Sequence, residues 1–201
     1  ALLAERRGAE TALEARRGLA AALRGVEGDW GEAGSGASLS DRLAALEGAL
    51  VAASADPALE TRLGAVLAKL QAVGATLNGL ADSVQRRRAE ADAAIARDVG
   101  ALNADLEGLA ALNADVARAR ASGQDATALL DRRQVVVDRV AQVLPVRETE
   151  RPGGAIALVT PQGAVLLDGA RAARIGFDPS PVVTAAMTRD GGALSGLTLD
   201  G

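Results

Sequence analysis

The residues best equipped for chemistry in this chain are its carboxylates, because it has no histidine, no cysteine and a single lysine, Lys69. Without imidazole or thiolate, the usual general bases, zinc ligands and sulfur nucleophiles are missing. A Schiff base or a lysine-dependent phosphate site would rest on Lys69 alone, which lies inside a helix-period stretch and reads as a solvated charge. Glu148, Glu150 and Asp168 lie near strand-like sequence, and two acids could act as acid and base on a glycosidic bond. Glu148 and Glu150 would share one face of an extended segment. Their neighbours argue against catalysis: no aromatic residue stands near to seat a sugar, and Arg147 and Arg151 can pair with them. "GSGAS" lacks the lysine and the preceding strand of a phosphate loop, and no calcium-type acidic loop is present.

The polar residues with the most distinctive spacing are amides, in "LNADLEGLAALNADVARARASGQDATALLDRRQ", residues 102–134. Leu102-Asn103 and Leu112-Asn113 repeat ten residues apart, and Leu129, Leu130, Asp131, Arg132 and Arg133 follow. Asn113 stands on an apolar seam, where a polar residue costs stability but sets register and partner number. Asn103 sits at the edge of that seam, either exposed or within reach of a backbone carbonyl on a neighbouring helix. Asp131 with Arg132 and Arg133 reads as an ion pair or cap at a helical corner, or as an ordinary solvated triplet.

The element that must carry the asparagines is a long helix. From residue 57, Leu59, Leu63, Val66, Leu70, Val73, Leu77, Leu80 and Val84 follow at steps of four and three, and Ile95, Val99, Leu102, Leu106, Leu109, Asn113 and Val116 resume the pattern after Arg86–Arg88. The break in phase reads as a stutter, where the packing partner changes or the supercoil relaxes. Asp56-Pro57 suggests an N-cap with proline at the first helical position, and Ser122-Gly123 a stop. The 65 residues 57–121 would span about 98 Å as one helix. Helices over 1–26 and 39–54 precede it, the second opened by a capping box of Ser38 and Asp41. Between them "GVEGDWGEAGSGAS" reads as a loop anchored by Trp30. Gly64, Gly74, Gly79, Gly100 and Gly108 weaken the long helix by about 1 kcal/mol each against alanine. Either other helices approach closely there, or the glycines are merely tolerated.

After Gly123 a returning antiparallel helix carries Leu129, Leu130, Val136, Val140 and Val143 until Pro145 ends it. From residue 150 the texture is that of strands: Ile156 and Leu158 alternate, Thr160–Gly163 forms a turn, and Val165–Leu167 completes a hairpin. Further turns are expected at Asp168-Gly169 and Asp190-Gly191-Gly192, and further strands in "ARIGF" and "LSGLTLDG". The fold class is therefore mainly α with a smaller β region: an elongated antiparallel helical bundle with one coiled-coil-like helix, followed by β-hairpins. Residues 1–149 form the helical domain and 150–201 a β-rich segment.

Composition narrows the class further. The 201 residues are 49% hydrophobic, nearly all Ala, Leu and Val, so the chain can bury a core. Trp30 and Phe177 are the only aromatic residues, which disfavours stacking platforms for sugars or bases. Basic and acidic residues number 22 and 26 and are interspersed, so nucleic acid is not implied, and Arg86–Arg88 reads as a solvated face. No run of 18 apolar residues and no leader of signal type is visible. The start at Ala1 suggests a processed or shortened chain.

In this order, "SLSDRLAALEGALVAASADPALETRLGAVL", the helix with "LNADLEGLAALNADV", "SGQDATALLDRRQVVVDRVAQVLPV" and "GGAIALVTPQGAVLLDG" resemble the flagellar hook-associated protein 1 family (FlgK). The resemblance runs through essentially the whole chain. Its most specific part carries the structural signature Leu102, Asn103, Leu112, Asn113, Leu129, Leu130, Asp131 and Arg133; Gln134 departs from it, standing where many relatives have a second aspartate. The resemblance implies a bacterial structural protein joining hook to filament, without enzymatic activity or cofactor. It implies export through the flagellar channel with an export chaperone, and assembly outside the cell. Implied partners are copies of itself and neighbouring axial proteins, namely the hook protein and the second junction protein. Neither nucleic acid nor membrane insertion is implied. Measured against the family, the chain lacks an amino-terminal segment and a carboxy-terminal half, so polymerisation should be crippled and the isolated chain monomeric. A generic coiled-coil scaffold or adaptor is the rival reading, and it would form a stable parallel dimer instead.

Overall fold

The structure is a computed structural model that describes residues 2–188 and 194–200. Four helices come first: α1 (Leu2–Trp30), α2 (Leu39–Ala55), α3 (Glu60–Ala121) and α4 (Thr127–Val143). Six short strands follow: β1 (Arg147–Glu150), β2 (Ile156–Val159), β3 (Val165–Asp168), β4 (Arg171–Ala172), β5 (Arg174–Gly176) and β6 (Thr198–Asp200). The chain divides into two compact units, residues 19–89 and residues 1–18 with 90–201. The turn expected at Asp190-Gly191-Gly192 lies outside the described residues.

In the unit of residues 19–89, α2 begins as its sequence prescribes. The Ser38 hydroxyl accepts from Asp41 N at 3.1 Å, and the Asp41 carboxylate accepts from Ser38 N at 3.3 Å. That carboxylate also accepts from Gly34 N and Gly36 N, both at 2.9 Å, so it organises the loop before the helix. The Ser38 hydroxyl, which also donates to this carboxylate at 2.7 Å, acts foremost, with these backbone donors, to hold the Asp41 carboxyl below the usual carboxylate range. Trp30 is not the loop's anchor. Helix α1 runs on through Gly25 and Gly28 to Trp30 itself, whose ring is 54% exposed. The cap at Asp56-Pro57 is also corrected: Asp56 closes α2, its N–H donating to Ala53 O, and α3 starts at Glu60 after a turn in which Leu59 N donates to Asp56 O.

Helix α3 ends as expected, by a Schellman motif. Gln124 N donates to Ala119 O at 2.8 Å and Gly123 N to Arg120 O at 3.2 Å, with Gly123 at φ +70°. The helix is unbroken through Arg86–Arg88, and its seam becomes buried only further on, Ile95 being still 42% exposed. Before the arginines Leu59, Leu63, Leu70, Leu77 and Val84 remain exposed and Val73 is buried; beyond them Leu102, Leu106, Leu109, Asn113 and Val116 are all buried. The stutter thus falls at the division between the units. Gly64, Gly74, Gly79, Gly100 and Gly108 face open space, so they are tolerated rather than required by close packing. No run of 18 apolar residues occurs in α3, although an 18-residue window of it averages a hydropathy of 1.2, which passes for a span by length and composition only, with 6% of it buried.

In the other unit, α4 returns antiparallel to α3, with Arg139 paired to Asp105 and Arg133 to Asn113. Strands β1-β2-β3-β4 form an antiparallel sheet, and β5 pairs with β6. Ile156 lies opposite Glu150, and Leu158 opposite both Glu148 and Leu167, with a register shift after Leu158. The β2–β3 turn is closed by Gly163 N donating to Thr160 O, with Gly163 at φ +93°. Strand β2 is buried on both sides, since Ile156, Ala157 and Leu158 are all covered. One apolar cluster unites Leu102, Leu106 and Leu109 of α3, Val137, Val140 and Ala141 of α4, and Ile156, Leu158, Leu166, Leu167 and Ile175 of the strands. The change of texture near residue 150 therefore marks a change of element, while the core is shared across it.

Candidate functional site

The two asparagines do the same work at two points along α3. The Asn113 side chain is 1% exposed, and its amide faces β2. Its Nδ2 donates to Ile156 O at 2.9 Å and to Gly169 O at 2.7 Å, while its Oδ1 accepts from Ile156 N at 3.1 Å and from Arg133 Nη1 at 3.2 Å. Two donors and two lone pairs are all used. Asn103 repeats the pattern on β5: Nδ2 donates to Ile175 O at 2.8 Å and Oδ1 accepts from Ile175 N at 2.9 Å. Each side chain therefore pairs with one backbone residue as a neighbouring strand would. Both asparagines meet strand backbone, where the sequence had suggested a neighbouring helix for Asn103.

Arg133 completes the joint from α4. Its Nη1 donates to Gly154 O at 2.7 Å as well as to Asn113. Burial draws its pKa below the ordinary arginine value, opposed by the charges of Glu148 and Glu150. Gly154 is held to glycine by its φ of +81°, while the space beside it is taken by the movable Arg120 guanidinium.

The remaining signature positions serve packing. Leu102 is buried in the shared core, whereas Leu112, Leu129 and Leu130 are half-buried. Asp131 is exposed and does not cap α4. The N-cap is Ala126, without a side-chain cap, and just before it the Asp125 carboxylate closes a turn by accepting from Thr127 N at 2.9 Å and from the Thr127 hydroxyl at 2.7 Å. Those two bonds hold the Asp125 carboxyl below its usual range. Gln134 donates to Asp138 at 3.1 Å.

The acids once considered for catalysis are placed apart in role. Glu148 pairs with Arg7 at 3.2 Å, and Asp168 with Arg151 at 2.6 Å. Among the described residues no group of three His, Cys, Asp or Glu is placed to hold a metal ion.

A second polar joint, inside residues 19–89, had no signal in the sequence reading. The Asp29 carboxylate accepts from Ser83 Oγ at 2.6 Å and from Arg87 Nε and Nη2 at 2.6 and 2.9 Å, and Arg87 also reaches Gly25 O at 2.8 Å. Arg87 is thus a tertiary clamp, where the sequence suggested a solvated arginine run. The Arg87 and Ser83 bonds lower the Asp29 pKa to about 2. The partners lie 54 and 58 residues apart, beyond any local motif. Asp92, buried and accepting from Ser180 N at 2.7 Å, was missed for the same reason.

A long helix, a returning helix and an antiparallel sheet pinned by side-chain amides define a mainly helical structural domain with appended β-hairpins. Residues 31–196 match the model of the flagellar hook-associated protein FlgK helical domain, and the chain belongs to that family. The fold is similar to that of the flagellar hook junction protein FlgK from Burkholderia pseudomallei, with a TM-score of 0.71 and 18% identity; the match covers 87% of this chain and 31% of that one. No curated protein matches by sequence.

Proposed function

We propose that this chain is the helical part of a structural protein of the bacterial flagellum, one that joins hook to filament and has no enzymatic activity. The observation that carries the reading is the family match over residues 31–196. The named relative is a hook junction protein whose chain is about three times as long as the matched part, so the junction role belongs to the whole protein. An assembling role is supported by the apolar side chains left open on α3, Leu63, Leu67, Leu70 and Leu77 among them. Its partners are copies of itself and the neighbouring axial proteins, the hook protein and the second junction protein, reached after export with a chaperone. The place of action is the extracellular hook-to-filament junction. Within the signature, Asn103, Asn113 and Arg133, with Leu102 in the shared core, hold α3, α4 and the sheet in one arrangement; Leu112, Leu129 and Leu130 are half-buried and Asp131 is exposed.

Deleting the gene in its own organism tests this: cells should carry hooks without filaments and shed filament protein into the medium. Filaments still attached to hooks would overturn the junction role. Sedimentation of the isolated chain separates it from a generic scaffold, with a monomer expected and a stable parallel dimer contrary to it.

A further inference from the structure

The amino-terminal stretch of α1 is attached in an unusual way. Within the unit formed by residues 1–18 and 90–201, residues 5–18 bury one side chain, and it is an arginine. Arg7 is 6% exposed; its Nε donates to Asp138 of α4 at 2.8 Å and its Nη1 to Glu148 of β1 at 3.2 Å. One turn on, the half-buried Thr11 hydroxyl donates to Ala141 O of α4. The apolar side chains nearby take no part: Leu13 is 46% exposed, and Ala9, Ala12 and Ala15 are exposed too. The core beneath consists of Leu102, Leu106, Leu109, Val137, Val140 and strand residues, with none from residues 5–18.

We infer that residues 5–18 form a releasable strap, docked on α4 and β1 by the Arg7–Asp138–Glu148 clasp and the Thr11 contact rather than by hydrophobic burial. Undocking withdraws no apolar side chain of residues 5–18 from the core cluster. It returns Arg7 and both carboxylates to water, which offsets much of what their mutual contacts contribute. Once free, the stretch should fray from its amino-terminal end, because it is then held only by its own helical bonds and Gly8 weakens them further. The strap can therefore open while the unit beneath stays folded, leaving Asp138, Glu148 and the Ala141 carbonyl accessible to another cationic or hydrogen-bonding segment.

Hydrogen exchange followed by mass spectrometry tests this on the full chain. In the unaltered protein residues 5–18 should exchange faster than 102–116, by local opening rather than global unfolding. Arg7→Met, which keeps the aliphatic stem, should raise exchange in 5–18 about tenfold and leave 102–116 unchanged. Asp138→Asn with Glu148→Gln should do the same, because Arg7 then lies buried against neutral partners. Three results would overturn the strap: protection of 5–18 equal to that of 102–116 in the unaltered protein, exchange in 5–18 unmoved by either variant, or exchange rising in both segments together.

Discussion

At the scale of single residues, an asparagine on a helical seam has two physical meanings, and they predict opposite results. If Asn113 only specified register against another helix, Asn113→Leu would extend the apolar seam and stabilise the protein. Here the amide meets the N–H and C=O of Ile156, the carbonyl of Gly169 and the Arg133 guanidinium. Leucine would leave all of these without their partner. Asn113→Leu and Asn113→Ala should each destabilise by about 3 kcal/mol in denaturant unfolding, and the partly buried Asn103→Ala by about 1 kcal/mol. Asp29 supports a prediction in pH. Its pKa is lowered from 3.8 to about 2, so its contribution is present above pH 3.8 and is lost as pH falls through 2. Exchange in residues 19–30 should rise over that window, and Asp29→Asn should abolish the dependence.

At the scale of elements, a glycine inside α3 and the glycine just past its end should respond oppositely to alanine. Gly74 has helical backbone and open space where a Cβ would stand, so Gly74→Ala should stabilise by about 1 kcal/mol. Gly123 holds φ +70° in the motif that ends the helix, so Gly123→Ala should destabilise by about 1 kcal/mol. Thermal melts of the two variants, compared with the parent, check both signs. Much of the element structure was legible in local chemistry: the capping box at Ser38, the stop at Gly123, the turn at Thr160–Gly163 and the order of helices and hairpins. The misreadings share a cause. Asp56-Pro57 and Gly25–Trp30 are strong local signals, but the neighbouring helices determined where each boundary fell, and either side of such a signal was locally acceptable.

At the scale of the molecule, the shared cluster makes helices and sheet one cooperative body within their unit. Leu106, fully buried among α3, α4 and the strands, should lose about 3 kcal/mol on substitution by alanine, and exchange should rise together in 102–116, 136–141 and 156–167. Exchange that rises in α3 alone would contradict a shared core.

The sequence by itself determined which segments are helical and which are strands, because hydrophobic period, caps and turn residues act over a few neighbours. It also singled out Asn103, Asn113 and Arg133 as unusual in their setting, and carried the resemblance that the family match bears out. Only the tertiary structure decided what those residues touch. Asn113 meets Ile156 across 43 residues, Asn103 meets Ile175 across 72, and Arg7 meets Glu148 across 141. Hydrogen-bond partners so distant leave no periodicity in the chain, since a donor is matched to its acceptor by position in space and not by spacing along the backbone.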